Sequence, residues 1–248
     1  MARVREKTDV SLDDPMLVEG LPGVGLVGKI ATDLLVDQFG MEYVASIDAD
    51  GIPRVAIYDE NKRGIEPPVR IYADEERDLL ALQSDVPVSR TAAVDFADSV
   101  TNWLTDVDAT PLYLSGLPVE DQTPDEVPDI YGVSTGDAAS LLDEQDIPTP
   151  PERGVVGGPT GALLNRAGET HLDAVGLVVE SDPQFPDPAA ANQLISNGIE
   201  PIVGIDVATD ELVDRAEEIR EQKEKLAQRM QQAAEEESSQ AQPMRMFQ

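Results

Sequence analysis

Cysteine is absent from this sequence of 248 residues, and histidine occurs once, as His171. The lack of cysteine excludes disulfide bonds, thiolate catalysis and metal sites with cysteine ligands. A Ser–His–Asp hydrolase would need His171, yet no G-x-S-x-G elbow accompanies it. One histidine among scattered carboxylates also lacks the spacing of metal ligands. We therefore expect no catalytic residue, no metal and no cofactor, and interpret His171 as a surface or strand-edge histidine.

Basic residues are scarce as well, with 18 against 49 acidic residues and a formal net charge of −31. So negative a chain repels nucleic acid and anionic membranes. Molar salt shortens the Debye length to about 3 Å and removes the repulsion within the chain. Because the acidic residues run through segments that look ordered, we expect a protein adapted to a high-salt cytoplasm, with neither nucleic acid nor membrane as a partner.

Long apolar runs are missing too. No run approaches the roughly 18 residues of a membrane span, and residues 1–14 have no apolar stretch of the kind found in signal peptides. We expect a cytoplasmic location. Aromatic residues make up 4% of the chain, so a core must be built mainly from Val, Leu, Ile and Ala.

Strand patterns alternate with helix patterns along most of the chain. The predicted strands are Met16–Glu19, Tyr43–Ile47, Arg54–Tyr58, Val69–Ala73, Leu79–Ser84, Pro111–Leu117 and Asp173–Val179. Helices are predicted up to about Gly40, from Ser89 to about Leu104, over Ala138–Glu144, from about Thr160, and over Pro188–Asn197. In the helix after Ser89 the predicted inward residues are Val94, Ala97, Val100, Trp103 and Leu104. This alternation predicts a three-layer α/β fold, whose sheet is mostly parallel but mixed around residues 54–84.

The character of the chain changes near Asp210. Leu212, Ile219, Leu226 and Ala233 recur every seven residues, which predicts an amphipathic helix that either packs on its own domain or pairs with another subunit as a coiled coil. The composition after Glu237 is too polar to bury apolar surface. We predict an α/β domain over 1–206, an amphipathic helix over 207–237 and a flexible tail over 238–248.

A glycine-rich segment follows the first predicted buried strand. Gly23, Gly25 and Gly28 spell G-x-G-x-x-G, and Asp48 lies 20 residues beyond the last of them, which is the spacing of a dinucleotide site. A Walker loop fails because Ile30 stands where a Ser or Thr would bind Mg²⁺. The alternative interpretation is a structural turn packed tightly between strand and helix, and the sequence leaves both open.

The residues Met246, Phe247 and Gln248 follow a polar stretch. An apolar residue, an aromatic residue and a free carboxylate on a flexible linker could enter a pocket on a partner beside a Lys or Arg. The alternative is a frayed terminus without a role.

Several stretches together resemble the proteasome assembly chaperone family PAC2. They are LVEGLPGVGLVGKIATDLLV (Leu17–Val36), LYLSGLP (Leu112–Pro118), GVVGGPTGALL (Gly154–Leu164), VVESDPQFPDPAAA (Val178–Ala191) and the final MFQ. The resemblance covers about Leu17 to Ala233. It implies an α/β fold similar to nucleoside phosphorylases and peptidyl-tRNA hydrolase-like domains, without their active site.

The resemblance also implies a function. It implies homo-oligomers, from trimer to pentamer, and binding to proteasome α-subunits or the 20S core particle. Some archaeal relatives end in a hydrophobic–Tyr–any motif that proteasomal ATPases use to dock between α-subunits, and Met246, Phe247 and Gln248 fit it with Phe in place of Tyr. On this basis the glycine-rich turns are structural, namely Gly20, Pro22, Gly23, Gly25, Gly28, Gly157, Gly158 and Gly161. We expect a non-enzymatic assembly chaperone or adaptor; the alternative is a nucleotide- or nucleoside-binding enzyme that uses the Gly23–Gly28 turn.

Overall fold

The computed structural model describes residues 2–58, 60, 63–119 and 126–219. Its strands are β1 Arg3–Glu6, β2 Met16–Gly20, β3 Glu42–Asp48, β4 Ile57–Tyr58, β5 Ile65–Glu66, β6 Val69–Asp74, β7 Leu79–Ser84, β8 Thr110–Pro118, β9 Ile130–Thr135 and β10 Ala174–Ser181. Its helices are α1 Val27–Phe39, α2 Ala93–Asp106, α3 Ala139–Asp143, α4 Gly158–Thr170, α5 Pro188–Leu194 and α6 Glu200–Val203, with a π-helical turn, Ile195–Ile199, between α5 and α6. Residues 210–219 are also helical.

The main sheet has eight strands in the order β1-β3-β6-β7-β2-β8-β10-β9. The four central strands, β7, β2, β8 and β10, are parallel, and the strands at both edges are antiparallel. A separate two-stranded hairpin is formed by β4 and β5. The mixed, mostly parallel sheet predicted from the sequence is confirmed.

Helices cover both faces of the sheet. Helices α1 and α5 contact each other on one face, while α2 and α4 contact each other on the other face. A hydrophobic cluster lies under each pair of helices. The central strands are buried on both faces because their side chains alternate between these two clusters, which explains their continuous apolar sequence.

Three details of the sequence prediction are wrong. The predicted strand Arg54–Tyr58 is a strand only over Ile57–Tyr58. Strands β1, β5 and β9 were not predicted, because they are short or partly exposed edge strands with little apolar alternation. Val94, predicted to face inward, is 67% exposed, since it stands one position from the inward stripe formed by Ala93, Ala97 and Val100.

The segment after Gly204 packs back on the domain. Val207 and Leu212 are buried in the cluster beneath α1 and α5, so the described start of the predicted amphipathic helix packs on its own chain. Residues 220–248, which include Leu226, Ala233 and the predicted tail, lie outside the described residues. The division at 206, 237 and 248 remains a prediction. Among the described residues, no helix is long and apolar enough to cross a membrane.

Candidate functional site

The first glycine-rich turn joins β2 to α1 at the carboxyl edge of the parallel strands. Residues Val24–Leu26 form a short 3₁₀ turn, in which Gly25 has a φ of +61°. The carbonyl of Gly25 accepts a hydrogen bond from the Asp187 amide at 2.8 Å. The turn is thereby held against the loop between β10 and α5. Pro22 is half-buried and Gly23 is exposed at the entry to this turn.

The second glycine-rich turn leads into α4. Gly157 precedes the helix in an extended conformation, and Gly158 has a φ of +66°. A Cβ on Gly161 would lie 2.2 Å from the Val156 carbonyl oxygen, so the backbone can fold back there only because that side chain is missing. Thr160 lies in the first turn of α4 and points into the protein, where it is 8% exposed.

The two glycine-rich turns meet at Glu19, a fully buried carboxyl on β2. Thr160 Oγ1 donates to Glu19 Oε1 at 3.0 Å, across 141 positions of sequence. The amide of Leu21 donates to the same oxygen at 3.1 Å, and the amide of Leu114 donates to Oε2 at 3.1 Å. Glu19 therefore joins β2, β8 and the start of α4 at one point.

Burial raises the pKa of Glu19 from 4.5 to about 7, against the opposing effect of the donors from Leu114, Thr160 and Leu21. The same burial, together with the charge of Glu19, raises the pKa of the neighbouring Tyr113. A carboxyl with a raised pKa in a recess is a common feature of catalytic sites. Here both carboxyl oxygens accept hydrogen bonds from the chain itself, and the side chain has no exposed surface. These are the contacts of a buried residue that holds neighbouring segments together.

The space around the first turn is filled by the chain itself. A Cβ on Gly20 would lie 1.8 Å from Thr32 Oγ1, and one on Gly25 would lie 1.9 Å from Ser181 Oγ. A Cβ on Gly28 would lie 3.3 Å from Leu114 Cβ. These glycines are needed for close packing between α1, β8 and the loop after β10.

The surroundings of the first turn are acidic where a dinucleotide would place its pyrophosphate. Asp187 accepts hydrogen bonds from Ser181 Oγ at 3.0 Å and from the Asp182 amide at 3.1 Å, directly beside Gly25. Glu19 lies at the end of the preceding strand. The carboxylate of Asp187 at this position opposes a diphosphate through like charge.

The other elements of the dinucleotide interpretation lie apart from the turn. Asp48 ends β3, and two strands, β6 and β7, separate β3 from β2, which places it about 14 Å away across the sheet. Asp48 is paired with Arg5 at 2.7 Å on the sheet edge. Lys29 is paired with Asp33 at 2.9 Å and with Asp85 at 3.2 Å. The sequence therefore has the residue spacing of a dinucleotide site, but the fold does not bring these residues together as such a site requires.

Lys29 belongs to a polar network beside the turn. Arg70, whose side chain is 5% exposed, pairs with Asp85 at 2.6 Å and also donates to Gln83 Oε1 at 3.1 Å. Gln83 in turn donates to Asp33. This network ties α1 to β6 and β7 on the face opposite Glu19.

His171 lies on the surface at the C-terminal end of α4, with a φ of +57°. This agrees with the interpretation of a surface histidine. Within the part of the chain that the structure describes, no group of three or more acidic or histidine side chains could hold a metal ion.

The predicted proteasome-binding residues Met246, Phe247 and Gln248 lie outside the described residues. The sequence prediction missed Glu19 and Arg70 as buried charged residues. Each stands inside an otherwise apolar strand, in MLVEG and VRIYAD respectively. A charged residue within a continuous apolar strand is the signal that could have found them.

The fold is that of a three-layer α/β protein. At the C-terminal ends of its parallel strands, the two glycine-rich turns are packed together around Glu19. The PAC2 family model matches residues 17–227, and the chain belongs to the PAC2 family. The Methanocaldococcus jannaschii protein MJ0106 is 27% identical over 224 residues, covering 90% of this chain and 89% of its own.

Solved structures have the same fold. Pyrococcus furiosus PbaA, described as an archaeal homolog of proteasome-assembly chaperone, has a TM-score of 0.78 at 24% identity and covers 94% of this chain and 100% of its own. Pyrococcus furiosus PbaB, described as an archaeal proteasome activator, has a TM-score of 0.77 at 21% identity and covers 91% of this chain and 98% of its own.

Proposed function

We propose that this chain is a non-enzymatic proteasome assembly chaperone or ATP-independent adaptor that binds α-subunits or the 20S core particle in the cytoplasm. The observation that carries the proposal is membership of the PAC2 family over residues 17–227, together with a fold shared over nearly the whole chain with PbaA and PbaB. Both of those proteins are described by their relation to the proteasome.

The carboxyl edge of the sheet favours binding over catalysis. This edge is where open α/β sheets usually bind small ligands, yet here Glu19 faces Thr160 and two backbone amides. Gly20 and Gly25 face Thr32 and Ser181 at distances that admit no additional carbon. A partner would then be bound by the outer surface and by segments beyond the α/β domain.

We propose that Met246 and Phe247 enter a pocket between α-subunits, and that a free carboxylate at Gln248 pairs with a lysine of that pocket. An aromatic side chain supplies a large apolar area at low conformational cost. Phe247 lacks the hydroxyl of the Tyr found in the related motif. Phe247→Tyr is therefore expected to bind as well as the native chain or more tightly.

The proposal is tested with the full chain and purified 20S core particle in molar KCl, with binding measured by biolayer interferometry. Deletion of Met246–Gln248 is expected to weaken binding at least tenfold, and a Gly-Ser extension after Gln248 is expected to do the same if the carboxylate is needed. Val94→Ser, at an exposed position of α2, is the control. If the deletion variant binds as tightly as the native chain, then Met246–Gln248 do not take part in binding. If the native chain itself does not bind, the proposal as a whole is contradicted.

The alternative, a nucleotide- or nucleoside-binding enzyme that uses the Gly23–Gly28 turn, has the spacing of the glycines in its favour. Calorimetry of the same preparation with ATP, NAD and adenosine in molar KCl distinguishes the two functions. We expect no heat of binding from any of them. A saturable heat that Gly23→Ala abolishes would instead assign a ligand to the turn.

A further inference from the structure

Strand β1, Arg3–Glu6, forms one edge of the main sheet and pairs with β3 on its inner side. The Lys7 amide donates to the Val44 carbonyl at 2.7 Å and continues the register of this pair. Because hydrogen-bonded pairs alternate along an antiparallel ladder, every second residue of β1 turns its N–H and C=O away from β3. These residues are Val4 and Glu6. Within the part of the chain that the structure describes, no backbone group bonds these outward groups.

Three basic side chains lie on one face of this edge. Arg3, Arg5 and Lys7 stand at alternate positions, so they point to the same side of the sheet, and all three are exposed. Arg5 pairs with Asp48 at 2.7 Å, while Lys7 Nζ lies over the Tyr43 ring at 4.3 Å. Arg3 and Lys7 form no ion pair with a described residue. Two positive charges on this face are therefore not compensated by a carboxylate.

This local charge is opposite to that of the chain. Residues 2–7 contain three basic residues and one acidic residue, whereas the whole chain has 18 basic and 49 acidic residues. The one acidic residue, Glu6, points to the other side of the sheet, where it accepts a hydrogen bond from Trp103 Nε1 at 2.9 Å. The carboxylate of Glu6 is thus separated from the three cations by the backbone of the strand.

The other face of β1 is apolar at its centre. Val4 is half-buried and packs against the hydrophobic cluster beneath α2 and α4. An extended peptide placed along the outer side of β1 would therefore meet different chemistry on its two faces. Its alternate side chains would lie beside the cations, and the one opposite Val4 would lie beside an apolar surface.

The charges of the edge also decide which kind of strand it fits. An antiparallel pairing of two β1 strands would place basic side chains opposite basic side chains, which is destabilising. Charged residues on an edge strand are a known protection against such self-pairing. An acidic extended segment has the opposite charge at the same positions, so the edge favours it over a second copy.

We propose that β1 binds an extended acidic segment of a partner protein by strand addition. The main chain of that segment bonds the outward groups of Val4 and Glu6. Its acidic side chains lie opposite Arg3, Arg5 and Lys7, in the pairs where side chains of an antiparallel ladder approach most closely. The main-chain bonds provide most of the affinity in molar salt, and the charged pairs set the register. This inference does not depend on proteasome binding.

The test uses the isotope-labelled full chain in molar KCl and the peptide Glu-Thr-Glu-Val-Glu with blocked ends, followed by NMR. In antiparallel register this peptide places its Val opposite Val4 and its Thr opposite Glu6. We expect saturable shifts of the β1 amides. Amide exchange at Val4 and Glu6 is expected to be faster than at Arg5 before the peptide is added, and to slow about tenfold at saturation.

Methylation of the peptide backbone separates strand addition from simple charge attraction. Methyl groups on the Thr and Val nitrogens remove the donors that face β1, so this peptide is expected to lose binding. Methyl groups on the nitrogens of the second and third Glu face away from β1 and should leave binding close to that of the parent peptide. Equal loss with both peptides would overturn strand addition.

Variants of the chain test the two parts of the contact. Val4→Pro removes one outward N–H without breaking the bonds to β3, and it is expected to weaken binding about tenfold. Arg3→Glu with Lys7→Glu is expected to weaken it about fivefold, and more at lower salt. The control, Arg90→Glu with Arg153→Glu, makes the same charge change at exposed positions elsewhere and should bind as the native chain does.

Three results would overturn the proposal. The first is a native chain whose β1 amides do not respond to the peptide. The second is a charge control that loses as much affinity as the variant at Arg3 and Lys7. The third is protection of the Val4 and Glu6 amides in the chain alone that increases with its concentration, because a second copy would then cover the edge.

Discussion

At the glycine-rich turns, polar groups of the chain bind one another, whereas at the hairpin of β4 and β5 apolar side chains face solvent. Glu19 is fully buried and accepts three hydrogen bonds from its own chain. Tyr58 is 82% exposed beside Ile65. The segment that resembles a ligand site in sequence is thus a packed junction in three dimensions. The hairpin, for which the sequence predicted only a strand over Arg54–Tyr58, presents an exposed apolar surface.

A glycine motif binds a ligand only where the space beside its glycines is open. A glycine that admits a ligand leaves room next to its Cα, while Gly20 and Gly25 are in contact with Thr32 and Ser181. In a chain of this charge, binding to another protein is best supported by a surface that is apolar and low in acidic residues. The outer face of the β4–β5 hairpin, with Tyr58 and Ile65, meets the first condition.

The largest effect on stability is expected at Gly25. Gly25→Ala places a Cβ 1.9 Å from Ser181 Oγ at a φ of +61°, and the overlap and backbone strain together should lower the free energy of unfolding by about 3 kcal/mol. Gly23→Ala is the matched control, because its Cβ would meet only the Leu21 carbonyl at 4.0 Å. Thermal unfolding in molar KCl measures both. Equal destabilisation by the two substitutions would contradict a closed turn.

A second effect of similar size is expected from Glu19 as the pH changes. Burial raises its pKa to about 7 from 4.5, so between these values the folded chain holds a proton that the unfolded chain has released. The contribution of the Glu19 proton to stability is therefore fully present below pH 4.5 and is lost as the pH rises to about 7, by roughly 3 kcal/mol in total. Glu19→Gln cannot release this proton and lacks that loss.

The measurement for Glu19 is the difference in unfolding free energy between native and Glu19→Gln chains, taken by urea denaturation at several pH values in molar KCl. The other carboxylates contribute equally to both chains, so their pH dependence cancels. We expect the variant to gain stability relative to the native chain from pH 4.5 to 8. A difference that does not change with pH would show that Glu19 is not buried as described.

A smaller effect is expected at Lys29. Lys29→Met leaves Asp33 and Asp85 without this cation, although Arg70 still pairs with Asp85. The side chain of Lys29 is 22% exposed, so the loss should be about 1 kcal/mol and should shrink as salt rises. Lys29→Arg, which keeps the charge, is the control. Thermal unfolding at two KCl concentrations tests this, and a salt-independent loss would indicate lost packing instead of lost ion pairs.

The smallest effect is expected at His171. Its φ of +57° favours glycine, so His171→Gly should raise the free energy of unfolding by about 0.5 kcal/mol. His171→Ala, which keeps the strain and removes the ring, should be close to native. Both variants should bind the 20S core particle as the native chain does. A loss of binding in both would assign the imidazole a role that its exposed position does not suggest.

The sequence predicted the central strands and main helices because their periodicity is strong, and Leu79–Ser84 was predicted with its observed bounds. It did not predict β9, since Ile130–Thr135 is an edge strand with a partly exposed, mixed pattern. The two glycine-rich turns were identified separately, but the contact between Thr160 and Glu19 joins positions too distant in sequence for any local pattern to predict. The exposed hairpin was missed because exposure depends on what the surrounding chain leaves uncovered.

The most direct test of the proposed function is affinity capture in molar KCl with the full chain, followed by mass spectrometry, from cells of the organism that provides it. The account predicts that proteasome α-subunits are the most enriched proteins, that Gly23→Ala captures them as the native chain does, and that deletion of Met246–Gln248 captures at least tenfold less. Capture without any α-subunit, while the chain remains folded, would contradict it.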